Sequence, residues 1–131
     1  MLKKIEILTS INYSFYTTVY LYDRDEKIIL PADIPGVLKS TPKMHKLLNR
    51  ILSVMATDIN NIQIFSHDDE TFYSHVILEK KKKLYSVEAD FAECLEIAVA
   101  ENIPIMIDSA TLKKQGIKIT PELLKEALEQ D

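Results

Sequence analysis

The chain is poor in the residues that most often announce a function. It has one cysteine and two glycines in 131 residues. A lone Cys94 excludes an internal disulfide and a cysteine zinc cluster. Two glycines are too few for a Gly-rich phosphate cradle, and neither a Gly-x-Gly nor a Gly-Lys-Ser pattern occurs. No apolar run approaches the roughly 20 residues of a membrane span. Met1-Leu2-Lys3-Lys4 is basic, but an alternating pattern follows it instead of a signal-peptide core, so a cytoplasmic protein is expected. Excess positive charge is also missing. At a net charge of -4, any contact with nucleic acid has to come from a local basic patch.

What is present reads as one globular domain over residues 1–131, with 47% hydrophobic and 27% charged residues. A chain of this length buries about two-thirds of its unfolded surface, enough for one core. Alternation over residues 5–10 suggests a first strand, β-branched and aromatic residues over 13–23 a second, and 27–31 a short third. Residues 32–41, with Pro35 and Gly36, read as a loop. Thr41-Pro42 then opens a helix whose Met44, Leu47, Leu48, Ile51, Leu52 and Met55 share one face. Asn61 to Phe65 is a fourth strand, and His67-Asp68-Asp69-Glu70 its turn.

Residues 71–79 and 84–89 form a hairpin across Lys80 to Lys83. Asp90 precedes a helix with Phe91, Cys94, Leu95 and Ala98 facing inward, and Pro104 to Ile107 is a short buried strand. Thr120-Pro121 opens a C-terminal helix at about 120–130. The expected fold class is α+β, a mixed or antiparallel sheet of six or seven strands with three or so helices.

Glu88, Asp90 and Glu93 bracket the strand-to-helix junction. Three carboxylates within six residues can contribute to a divalent-cation site of the kind phosphodiester hydrolysis uses. The blander alternative is a capping box, in which Asp90 accepts from first-turn amides and Glu93 reaches back. A two-residue turn at Lys81-Lys82 sets His75 opposite Glu88, Val76 opposite Val87 and Leu78 opposite Tyr85. A carboxylate neighbour favours protonated histidine, which suits acid–base work as well as a structural cross-strand pair.

The lysine run can grip phosphate or simply solvate a hairpin tip. Tyr16, Tyr20 and Tyr22 share a strand face without interleaved cations, so an interface or half-buried face is the better reading than base stacking. Cys94 reads as a small core residue.

Several segments resemble the bifunctional nuclease domain family. They are Thr71-Phe72-Tyr73, the hairpin return ending at Glu88-Ala89, the acid at Glu93, Pro104-Ile105, Leu30-Pro31, and Pro42-Lys43-Met44-His45-Lys46-Leu47-Leu48. Where family members have arg-pro-ser, this chain has Asp90-Phe91-Ala92. The resemblance implies hydrolysis of RNA or DNA phosphodiesters with Mg2+ as cofactor. Glu88, Glu93, His45 and His75 are then the candidate catalytic residues, and Glu88, Asp90 and Glu93 the candidate metal ligands. It also implies a homo-oligomer, a dimer in the first instance. The alternative is a catalytically inactive, homo-oligomeric interaction or regulatory module that keeps the fold.

Overall fold

Strand alternation builds most of the molecule. A computed structural model describes residues 2–36, 46–66 and 72–122. In chain order the elements are β1 (Leu2–Asn12), β2 (Tyr16–Asp23), β3 (Ile28–Pro35), α1 (Lys46–Val54), β4 (Asp58–Ser66) and β5 (Phe72–Lys80). They continue with β6 (Lys83–Ala89), α2 (Phe91–Glu101), β7 (Ile105–Asp108), α3 (Ser109–Gln115) and β8 (Ile117–Lys118). The fold is α+β, with three helices and eight strands among the described residues. The strand count slightly exceeds the expected six or seven because the two-residue β8 carries no readable pattern.

The strands form one sheet in the order β6-β5-β4-β7-β1-β2-β3-β8. Among the described strands only β4 and β7 run parallel, and the chain between them passes through the β5–β6 hairpin and α2. β1 pairs β7 with its first half and β2 along most of its length, and its register shifts between Ile7 and Thr9. Such a bulge adds twist and bends the strand.

On β2 and β3 the core face carries Val19, Leu21, Leu30, Ala32 and Ile34, all at most 2% exposed. Against the sheet's core lie Cys94, Leu95 and Ala98 of α2 and Leu112 of α3. Burying a leucine side chain contributes roughly 1.5–3 kcal/mol relative to leaving it exposed. The expected inward face of α2 is therefore the one that packs on the sheet. α2 stops where Asn102 turns left-handed at φ 54, two residues before Pro104.

Three expectations need correction or completion. Residues 32–35 are strand, not loop, because Ala32 and Ile34 keep the alternation of β3. Pro31 and Pro35 are tolerated because β8 covers only Ile28 and Ile29, which leaves the rest of β3 as an edge. α3 was not anticipated; it is short and its start is set by the Asp108 side chain. α1 forms where its apolar spacing requires, yet none of its residues is buried, and Leu47 is 71% exposed. His45, the His67-Asp68-Asp69-Glu70 turn and the C-terminal helix beyond 122 lie outside the described residues.

Candidate functional site

The β5–β6 hairpin has the expected register. Lys80 pairs with Lys83, Leu78 with Tyr85, Val76 with Val87 and His75 with Glu88. The hairpin delivers Glu88 to the end of β6, and Ala89 hands the chain to Asp90 at the start of α2. Ser74 locks this junction by donating from Oγ to the Ala89 carbonyl at 2.9 Å. Phe72 stacks on Phe91, centroids 5.3 Å apart, so the strand and the helix meet through an apolar contact.

Around that contact lie two open cavities. One, of about 330 Å3, is lined by Glu88 and Asp90 with Phe72, Tyr73, Ser74 and Phe91. The other, of about 310 Å3, brings Asp33 of β3 to Asp90, again over Phe72 and Phe91. Asp90 belongs to both. Larger clefts lie elsewhere: one of about 480 Å3 sits between α1, β4 and the end of α2. There Asn49 Nδ2 donates to Glu101 at 2.7 Å, a tether between α1 and α2.

The capping box is not formed as expected. Asp90 has the extended backbone of an N-cap, φ -60 and ψ 138, but its side chain makes no capping hydrogen bond. Its backbone carbonyl instead accepts from the Cys94 amide at 2.9 Å. Asp90 is exposed and lines both cavities. It still gains from the positive end of the helix dipole.

The structure brings Glu88 and Asp90 together around one cavity. Glu93 is exposed on the first turn of α2 and lines neither cavity. His75 stands opposite Glu88 in register, but its Nδ1 lies 2.6 Å from Ser86 Oγ, and its ring meets Phe65 edge-on at 5.0 Å. Asp33 was missed in the sequence because it fell in an expected loop. Thr18 Oγ1 donates to Asp33 at 2.6 Å, a contact visible only once the β2–β3 register is known. Cys94 is fully buried, as expected, and burial raises its thiol pKa, partly offset by a hydrogen bond with Ser74. A thiol held protonated in this way is not a nucleophile.

Carboxylate oxygens suit a hard cation. Mg2+ takes one or two protein carboxylates and fills its octahedron with water and phosphate. Among the described residues no group of three or more His, Cys, Asp or Glu side chains gathers closely enough to hold an ion unaided. Glu88 and Asp90, which line one cavity, are the carboxylates there that would be available to such an ion, and they do not form a closed protein cage. Among the described residues, no helix is long and apolar enough to cross a membrane.

A model of the bifunctional nuclease domain matches residues 7–120. Two uncharacterized proteins from two strains of Mycobacterium tuberculosis are each 23% identical over 121 residues, covering 92% of this chain and 71% of theirs.

Proposed function

The chain belongs to the bifunctional nuclease domain family, and from that premise we propose that it hydrolyses RNA or single-stranded DNA with Mg2+ at the junction of β6 and α2. The observation that carries this reading is the uncommitted carboxylate of Asp90, which shares a cavity with Glu88 instead of capping α2. Glu88 and Asp90 are the residues that hold the ion. When bound, Mg2+ neutralises phosphate charge and lowers the pKa of a bound water. The Phe72–Phe91 stack offers an apolar surface against which a base can lie.

His75, with Nδ1 engaged by Ser86, retains Nε2 to take or give a proton. Glu93 adds negative charge one turn into the helix, and His45 is the further candidate acid or base. Magnesium-dependent cleavage that falls about 100-fold in both Glu88→Gln and Asp90→Asn supports the assignment. Cleavage unchanged in both variants overturns it.

Two observations favour a second reading, a non-catalytic homo-oligomeric or regulatory module. Asp90-Phe91-Ala92 replaces the family's arg-pro-ser, and no three ligands cluster among the described residues. That reading expects no cleavage and no heat of Mg2+ binding by calorimetry.

A further inference from the structure

β6 ends the sheet, and every residue from Lys83 to Glu88 is exposed. Its outer edge presents unpaired backbone N–H and C=O groups, a template for another strand. Two of the usual protections, proline and a bulge, are missing, and charge is confined to the two ends of the strand. β6 contains no proline, and it pairs with β5 without a bulge from Ser74–Ala89 to Lys80–Lys83. Leu84, Tyr85 and Val87 are 61%, 51% and 47% exposed.

The charge along this edge is polar in the directional sense. Lys80 to Lys83 stand at one end, and Glu88, Asp90 and Glu93 at the other. Parallel self-association sets like charge on like. Antiparallel self-association sets each lysine end on an acidic end. The turn sets the lysines at the strand's end. Lys81 and Lys82 have φ 51 and φ 66, left-handed values that this two-residue turn normally assigns to Asn-Gly. Lysine stands at both positions at a conformational cost, as Lys27 and Ala56 do elsewhere in the chain. Among the described residues, Lys81, Lys82 and Lys83 have no ion-pair partner within the chain.

We infer that β6 pairs antiparallel with β6 of a second copy about Ser86, so that the lysine turn of each copy completes the acidic junction of the other. A two-fold axis normal to the sheet requires one residue to face itself. With Ser86 on the axis, Tyr85 meets Val87 of the partner subunit on the face that carries Val76 and Leu78. Lys82 then falls opposite Asp90 of the partner subunit. Centring on Tyr85 instead sets Lys83 against an apolar Val87, and centring on Val87 carries the lysines past the acids.

The paired sheet brings together what one copy keeps apart: carboxylates suited to a cation and ammonium groups suited to phosphate oxygens. Its use in phosphodiester cleavage rests on the nuclease reading above; the pairing itself does not.

Sedimentation velocity of the full chain over a range of concentrations tests it. The expected result is a reversible dimer that weakens as salt rises. Lys82→Glu with Lys83→Glu, and separately Glu88→Lys with Asp90→Lys, weaken it at least tenfold. An equimolar mixture of the two variants restores it, which misfolded variants cannot do. Oxidised Ser86→Cys gives a covalent dimer, with Cys94 buried and out of competition. A chain that is monomeric throughout, a dimer indifferent to both charge reversals, or a mixture that stays monomeric overturns the pairing. A dimer that resists linking at residue 86 overturns the register. None of these outcomes touches wild-type cleavage, which is read separately.

Discussion

In the half of the sheet built from β1, β2 and β3, polar side chains find one another. Lys3 Nζ donates to Asp23 at 2.6 Å and lies 3.0 Å from Glu26. Arg24 Nε donates to Glu6 at 2.6 Å, Thr18 to Asp33, and Thr17 Oγ1 to the Gly36 carbonyl at 2.6 Å. In the half that ends in β6 and opens α2, Glu88, Asp90, Glu93 and the turn lysines make no such bond among the described residues. The paired charges belong to the architecture. The unpaired ones cost little to keep exposed and stay free to meet a ligand or another chain.

The contrast is sharpest at Asp23, which is 1% exposed. Its carboxylate also accepts from the Asp25 amide at 3.1 Å. Asp23→Ala is expected to lose about 2 kcal/mol in urea unfolding, because a charge-assisted bond disappears from a buried site. Glu88→Ala is expected to change stability by under about 0.5 kcal/mol. A large loss at Glu88 would erase the distinction between the halves.

The same pair gives a pH signature. The hydrogen bond to Asp23, with a smaller contribution from Glu26, holds the Lys3 ammonium above its ordinary 10.5. A raised pKa stabilises the fold fully below the unfolded value. That contribution is lost as pH climbs through the higher folded value. Thermal unfolding followed past pH 10.5 should therefore show a steeper alkaline decline in the wild type than in Asp23→Asn.

The hairpin turn sharpens the comparison from the other side. Replacing Lys81→Asn and Lys82→Gly together is expected to stabilise the fold by about 1 kcal/mol, since the turn's positive φ values suit the new residues. If the lysines serve association, the same variant weakens the dimer while its melting temperature rises. Opposite signs in the two measurements separate a task from a fold requirement. Matching signs would reduce the lysine run to a solvated tip.

How far these halves were legible in the sequence depended on period and on distance along the chain. The hairpin register, with His75 against Glu88, followed from a two-residue turn because a local count fixes every pair. The inward set of α2 followed from its spacing. Asp33 did not, since placing it beside Asp90 requires knowing that β3 runs on through Pro35 and that α2 crosses the sheet near its end. α1 carries a clear apolar stripe, yet Leu48 and Leu52 are only half-buried and Leu47, Ile51 and Met55 are exposed; spacing describes a face and not what packs on it. The site was half visible for the same reason. Glu88 and Asp90 are neighbours in sequence, while the rotamer that turns Asp90 from cap to cavity has no sequence signal.

That rotamer sets the smallest and most discriminating effect. Asp90 and Asp108 hold the same position before α2 and α3, with nearly equal backbone angles of φ -60, ψ 138 and φ -64, ψ 129. The Asp108 carboxylate accepts from the Thr111 amide at 3.3 Å, whereas Asp90 makes no side-chain cap bond. Removing a working cap costs about 1 kcal/mol. Asp108→Ala should lose that much in urea unfolding, and Asp90→Ala less than about 0.5 kcal/mol, mostly from the helix dipole. Equal losses would mean that Asp90 caps α2 in solution, and the candidate site would then lose the carboxylate shared by both of its cavities. A loss confined to Asp108 leaves Asp90 free for a role the fold does not demand.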